Sequence, residues 1–317
     1  MTHDNIRIGT SGWNYPSGKG TWNGVFYPPA GLGQSPRRFD ELSYYAEHFD
    51  SVEVNSTFYG VPTPKVTRGW AQRTPDRFEF SLKLYQKFTH PKMFQDATGA
   101  HDAMVSAADV DAFRAAVEPI QSAGKLGVVL AQFPPSFKNQ AATRGYLEWL
   151  VPALTGCAVA VELRHRSWSD DIGSTLTLLN QLGAAWVQID EPKFRFSIAQ
   201  NYLPNVTSFY YMRLHGRNAQ KWWRHDRAEE RYDYLYSAPE LQPFAETADA
   251  ASRLVKKMYL FLNNHFAAKA VANAVVLKDQ LDIPVEGAYP AAFVKRYPEV
   301  AGIVNRGAPT RSLLPLP

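Results

Sequence analysis

A single cysteine, Cys157, excludes an internal disulfide framework. It sits in the apolar run Cys157-Ala158-Val159-Ala160-Val161, a setting for an inert buried thiol rather than a nucleophile. No stretch approaches the roughly 18 apolar residues that a membrane span needs. Met1-Thr2-His3-Asp4-Asn5 has no basic-then-apolar leader pattern, so the expectation is a cytoplasmic protein without a membrane partner. Charge of one sign is also scarce. The formal net charge of +4 is far from that of a polycation, although it favours the approach of an anion. Two motifs are missing as well: Gly9-Thr10-Ser11-Gly12-Trp13 lacks the GxGxxG spacing of dinucleotide folds, and no HExxH metal motif occurs. There is no internal repeat or low-complexity stretch. What remains is 317 residues, 45% of them hydrophobic, enough to build a large core.

Eight short runs dense in β-branched, aromatic and other apolar residues read as buried strands. They are 6–10, 52–55, 78–83, 126–132, 159–163, 185–189, 210–215 and 258–262. Helix signals lie between them. Thr63-Pro64 offers an N-cap with proline at the first helical position, Ser237-Ala238-Pro239-Glu240 has capping-box spacing, and Gly124 and Gly183 end periodic segments. Alternating strands and helices favour a parallel sheet, because parallel neighbours need a long crossover. An open doubly wound sheet competes with a closed barrel, and the missing phosphate fingerprint favours closure. The expected fold is α/β, a single (β/α)8 TIM barrel over residues 1–317. Long loops follow strands 1 (16–36) and 7 (216–237), and a proline-rich C-terminal extension begins at about residue 283, its end Leu313-Leu314-Pro315-Leu316-Pro317 extended.

Side chains alternate faces along a strand, so polar residues two apart near a strand end point the same way. Glu53 and Asn55 share a face, as do Ser81 and Lys83, Glu162 and Arg164, Gln188 and Asp190, and Arg213 and His215; Gln132 and Asn263 add an amide each. Their neighbours, such as Val52, Val161, Ile189 and Leu214, are apolar and suit the helix-facing side, which turns the polar set inward. A structural salt-bridge layer would account for this pattern, with Lys83, Arg164 and Arg213 balancing Glu53, Glu162 and Asp190. A functional site accounts for it too, because the polarity sits at strand C-termini, where barrel enzymes carry their chemistry. On the functional reading, Glu53, Glu162 and His215 are the catalytic candidates, two carboxylates and an imidazole able to move protons. The substrate-binding candidates are Asn55, Lys83, Gln132, Arg164, Asp190, Arg213, Asn263 and His265, with Trp13, Tyr59 and Trp168 among the rim aromatics. No metal is assigned, and no cofactor or oligomeric state follows from these residues. Lys221-Trp222-Trp223-Arg224-His225-Asp226-Arg227 interleaves cations and aromatics, a mix found in nucleic-acid sites and in solvated loops alike.

Taken in order, Gly9-Thr10-Ser11-Gly12-Trp13, Val52-Glu53-Val54-Asn55-Ser56-Thr57-Phe58-Tyr59 and Leu130-Ala131-Gln132-Phe133-Pro134-Pro135-Ser136-Phe137 resemble domain-of-unknown-function family 72, the YecE-like family. Val161-Glu162-Leu163-Arg164-His165-Arg166-Ser167-Trp168, Arg213-Leu214-His215-Gly216-Arg217 and Phe261-Leu262-Asn263-Asn264-His265 extend the resemblance over nearly the whole chain. The resemblance implies a TIM barrel and carries no reaction with it. One departure stands out: Ala267-Ala268-Lys269 occupies the place where a glycine is expected after Asn263-Asn264.

Three functions are compatible with these residues. The first is an enzyme acting on a phosphorylated or nucleic-acid-like substrate, its anion held by Lys83, Arg164 and Arg213. The second is a carbohydrate-active enzyme using Glu53 and Glu162, which requires carboxyl groups roughly 5 to 9.5 Å apart and free of arginine. The third is a non-catalytic protein that binds a metabolite or nucleic acid. The implied partner is a small-molecule or nucleic-acid-like anion.

Overall fold

The computed structural model describes residues 3–29 and 39–307; part of the loop after the first strand and the Leu313–Pro317 tail lie outside the described residues. The strands are β1 (Ile6–Ser11), β2 (Ser51–Val54), β3 (Glu79–Lys83), β4 (Leu126–Gln132), β5 (Ala158–Glu162), β6 (Ala185–Trp186), β7 (Gln188–Asp190), β8 (Tyr210–Leu214) and β9 (Met258–Leu262). They form one sheet in the order β6-β5-β4-β3-β2-β1-β9-β8-β7, parallel throughout. The two ends of that order are separated in sequence by Val187 alone, whose N–H donates to the Val161 carbonyl at 3.1 Å. The sheet therefore curls into a nearly closed α/β barrel.

Counted by hydrogen bonding, the sheet has nine strands rather than eight. The expected strand 185–189 is divided at Val187: its first half pairs with β5 and its second half with β8. The strands with continuous apolar sequences, such as β9 (MYLFL), are buried along their length, as parallel strands covered by helices must be. Capping chemistry starts the covering helices. Ser106 and Asp109 cap helix Ala107–Ser122 reciprocally, and Ser237 and Glu240 do the same for helix Ala238–Ser252. Helix Pro64–Gln72 opens on Thr63 with proline in its first turn.

Beyond residue 283, β10 (Ala288–Tyr289) pairs with β11 (Asn305–Arg306), and helix Ala291–Arg296 lies between them. Tyr289 and Phe293 are fully buried and meet Phe26 from the segment after β1 at 6.1 and 5.9 Å. This aromatic packing anchors the C-terminal segment to that first long loop. The loop after β8 carries a short helix, Ala219–Trp222, and a 3-10 turn, Ala228–Tyr232, which bring Trp222 and Tyr232 over the barrel mouth.

Candidate active site

Arg213, on β8, organises the barrel interior. Its Nε and Nη2 donate to the two oxygens of Glu53 on β2 at 2.8 and 2.6 Å, and its Nη1 donates to Glu162 on β5 at 2.5 Å. Ser11 Oγ and the Tyr211 hydroxyl each donate to Glu53 at 2.7 Å, so both of its oxygens accept twice. Arg164 holds the other Glu162 oxygen through Nε at 2.7 Å and reaches Glu191 at 3.2 Å. Glu53 and Glu162 are fully buried and Arg213 nearly so. Desolvating each ion costs several kcal/mol, which only this saturated pairing offsets. Burial opposes the Glu162 carboxylate, but Arg213 and then Arg164 outweigh it and hold the carboxyl well below the usual range. Burial also opposes the Arg213 charge, and Glu162 and Glu53 overcome it, so its pKa rises.

His215 completes this layer. Its Nε2 lies 3.3 Å from Arg164 Nη2 and 3.4 Å from Arg213 Nη1, and its Nδ1 lies 2.8 Å from the Asn263 amide. Burial and then the Arg213 charge push its pKa down to about 3, so the imidazole is neutral at physiological pH.

Above this layer opens a cavity of about 170 Å³. Arg213 and Arg164 form its floor, Asn55, Gln132 and Asn263 contribute amides, and Lys83 enters from the end of β3. Tyr15, Tyr59, Tyr232 and His265 make the upper wall. Tyr15 stacks on His265 at 4.2 Å, and Tyr232 approaches the same imidazole at 4.8 Å. Gly12, at φ +94°, turns the chain so that Tyr15 can fold back; a Cβ there would stand 2.7 Å from the Tyr15 hydroxyl. Burial lowers the His265 pKa to about 3.

Lys83 differs from the arginines beneath it. Its Nζ lies 3.9 Å from the centre of the Phe58 ring and has no hydrogen-bond or ion-pair partner among the described residues. Burial, then the Arg213 charge, lower its pKa to about 7. His90 is close by, with Nε2 3.5 Å from the Gln132 amide and its ring edge-on to Phe58.

The sequence-derived candidates thus divide by depth. Asn55, Tyr59, Lys83, Gln132, Arg164, Arg213, Asn263 and His265 line the cavity. Glu53, Glu162 and His215, the catalytic candidates, lie beneath the lining, and the two carboxylates are committed to arginine. Asp190 points elsewhere: it accepts from Arg217 Nε and Nη2 at 2.8 and 3.0 Å and from the Tyr236 hydroxyl at 2.6 Å. Gln188 likewise bonds Asn201 and Tyr202 in the following loop. Strand parity misassigned both residues, and Glu191 meets Arg164 in place of Asp190. Burial raises the pKa of Glu191 against the opposing pull of Arg164.

Trp13 packs edge-on against Trp70 at 5.6 Å, and fully buried Trp168 stacks on Phe137 while its Nε1 donates to the Phe137 carbonyl. Neither lines the cavity. Tyr232, His90 and Glu191 were not singled out by the sequence: the first two sit in loops without periodicity, and the third follows the break in its strand. Tyr15, one of the aromatics after β1, carried no signal setting it apart from Trp13. The missing glycine also has a structural trace, because Ala267 and Ala268 both adopt left-handed conformations, at φ 54° and 66°. Among the described residues, no three His, Cys, Asp or Glu side chains group as a metal site, and no helix is long and apolar enough to cross a membrane.

A parallel α/β barrel with a polar cavity at the C-terminal ends of its strands places the molecule among TIM-barrel-like proteins. The family described as "Protein of unknown function DUF72" matches residues 7–296, and the chain belongs to it. It is 28% identical over 296 residues to the UPF0759 protein YunF of Bacillus subtilis (strain 168), covering 90% of this chain and 98% of that protein. Over 49 residues, 16% of this chain and 18% of the relative, it is 41% identical to the UPF0759 protein YecE of Escherichia coli (strain K12). A solved DUF72 family structure from Thermotoga maritima superposes with a TM-score of 0.74 at 33% identity, covering 87% of this chain and 99% of that one. Another, from Enterococcus faecalis, gives 0.73 at 22% identity over 88% and 96%, and supports the fold alone.

Proposed function

We propose that the chain is an enzyme that binds a small anionic metabolite, bearing a phosphate or a carboxylate, in the mouth cavity. The observation that carries this reading is Lys83, a lining cation with no carboxylate partner among the described residues. Arg164 and Arg213 are engaged by Glu162, Glu53 and Glu191 and shape the floor, so Lys83 is the lining cation left to meet a ligand directly. The amides of Asn55, Gln132 and Asn263 offer neutral hydrogen bonds around it. At about 170 Å³ the cavity is smaller than the 300–1,000 Å³ typical of ligand pockets, which favours a small metabolite over a nucleotide. The position at the strand C-termini is where TIM-barrel enzymes work.

Glycoside cleavage by Glu53 and Glu162 loses support, because both carboxylates are held by Arg213 and neither reaches the cavity. A nucleic-acid ligand remains the second reading, favoured by Trp223. That side chain is 56% exposed and lies 5.8 Å from Phe194 and 6.2 Å from Phe196, beside exposed Lys193 and Arg195.

The test is thermal stabilisation by inorganic phosphate, 3-phosphoglycerate and a short single-stranded oligonucleotide, with glucose as the neutral control. A ligand at 100 times its Kd adds about 2.7 kcal/mol. Since an anion selects the protonated amine, affinity should fall about tenfold between pH 6 and pH 8 as Lys83 loses its proton. Stabilisation by phosphate compounds that disappears in Lys83→Gln supports the reading. Equal stabilisation of that variant, or none by any anion, overturns it; a response to the oligonucleotide alone, weakened by salt, favours the second reading.

A further inference from the structure

We propose that Lys83 is a reacting amine that forms an imine with a carbonyl group of the substrate, which is then a small aldehyde or ketone carrying a phosphate or carboxylate. This rests on the reading of the mouth cavity as an anion site and names the substrate class for it.

The first support is how this protein treats its other enclosed lysines. Lys125 Nζ donates to the Ala71 and Thr74 carbonyls, both at 2.7 Å. Lys87 pairs with Asp109 at 2.8 Å. Lys278 donates to the His48 carbonyl at 3.2 Å. Each of these has a structural reason to be an ammonium. Lys83 has no hydrogen-bond or ion-pair partner among the described residues: it ends in the cavity over the face of Phe58, and the nearby Glu53 and Glu162 are engaged by Arg213 and Arg164. A half-buried amine in a small cavity, beside two guanidinium groups, is an arrangement that activates lysine as a nucleophile.

The charged groups that face it are Arg213 from β8, Arg164 and Glu162 from β5 and the turn after it, and Glu53 from β2; His90 stands behind Gln132. Burial and the two arginines disfavour its ammonium form, while the two carboxylates favour it, and the balance leaves a pKa of about 7. About half of the amine is then neutral at pH 7, against about one part in 2,500 for an ordinary lysine of pKa 10.4.

The step balances without an oxidant or reductant. The neutral amine attacks the carbonyl carbon, a C–N bond forms, the carbonyl π electrons move to oxygen, and one amine proton passes to that oxygen to give the carbinolamine. The nitrogen lone pair then expels the hydroxyl, which takes a proton from solvent and leaves as water, while the nitrogen keeps its other proton in a protonated imine. That imine carries the same single positive charge as an ammonium, so the layer of arginines and glutamates below is undisturbed. The Asn55 and Gln132 amides are placed in the lining to hydrogen-bond the departing oxygen.

The experiment incubates the full chain with cyanoborohydride and, separately, pyruvate, glyoxylate, dihydroxyacetone phosphate or ribose 5-phosphate, then maps the reduced adducts by peptide mass. At least one compound should label Lys83 ten or more times faster than any other lysine at about pH 7, a conservative margin given the neutral fractions above. With neutral glycolaldehyde, whose approach needs no ammonium, and excess reductant, the labelling rate should rise from pH 6 to pH 8, opposite in sign to the phosphate affinity. Lys83→Arg and Lys83→Gln should lose the label while retaining the wild-type melting temperature. No label on Lys83 with any of the four compounds, or label spread evenly over surface lysines and retained in Lys83→Arg, overturns the proposal. If phosphate stabilises the protein while no adduct forms, the imine is refuted and the anion site stands. If neutral glycolaldehyde labels Lys83 as fast as the anions do and phosphate has no effect, the imine stands and the anion site falls.

Discussion

Replacing Arg213 with methionine tests whether the buried layer depends on one guanidinium. The variant keeps a similar volume but removes three charge-assisted hydrogen bonds, at 2.8, 2.6 and 2.5 Å, from two fully buried carboxylates. Breaking a buried pair from one side costs about 3–5 kcal/mol, because the remaining charge is left without compensation. An unfolding entropy of about 2.1 cal/mol/K per residue gives about 0.67 kcal/mol/K for 317 residues, so Tm should fall by about 4 to 8 °C near neutral pH. The pH dependence adds a second constraint. Glu162 has a depressed pKa in the fold, so its pairing contributes stability above the unfolded-state value of about 4.3 and loses it as pH falls through the folded-state value. The deficit of Arg213→Met should therefore be largest at neutral pH and shrink below about pH 4. Glu53→Gln added to Arg213→Met should recover part of the loss, since it removes one orphaned charge. Calorimetric scans at several pH values measure all three quantities. A variant as stable as the wild type at pH 7, or a deficit that grows on acidification, would refute this account of the layer.

Burial and Arg213 place the pKa of His215 at about 3, so its NMR chemical shifts should be flat between pH 5 and pH 8. Because that value lies below the unfolded 6.5, His215 should add stability as pH rises from about 3 to 6.5; a titration midpoint near 6.5 in the folded protein contradicts the prediction. Ala268→Gly should stabilise the protein by about 0.5–1 kcal/mol, since a left-handed alanine costs about 1–2 kcal/mol and glycine gives back part of that as unfolded-state entropy. A lower Tm in that variant would show that the methyl group packs favourably enough to outweigh its conformation. Trp168→Ala should cost about 3–5 kcal/mol by emptying a fully buried site, while phosphate binding at the mouth is unchanged in a folded sample. A selective loss of binding at unchanged stability would return Trp168 to the site.

Much of the barrel was legible in local pattern. Alternation along an extended backbone is a property of each strand alone, so β2, β3, β4, β5, β8 and β9 could be located, and along continuous strands it also oriented Glu53, Lys83, Glu162 and Arg213. The same rule failed at Gln188 and Asp190, because the chain breaks its pairing at Val187 where the two ends of the sheet meet. That break follows from closing the barrel, an event no local pattern records. Partner choice is non-local for the same reason. Arg213 reaches Glu53 across the barrel, 160 residues away in sequence, and thereby turns two apparent acid–base candidates into a sealed ionic layer. Tyr15 and Tyr232 meet over His265 only because two distant loops fold onto one mouth. Composition and periodicity therefore establish the strands, the helices between them and the polar inner face. Three-dimensional closure sorts that face into paired charges below and, above them, a lysine with no ion-pair partner among the described residues, because each charge meets neighbours that chain order does not specify.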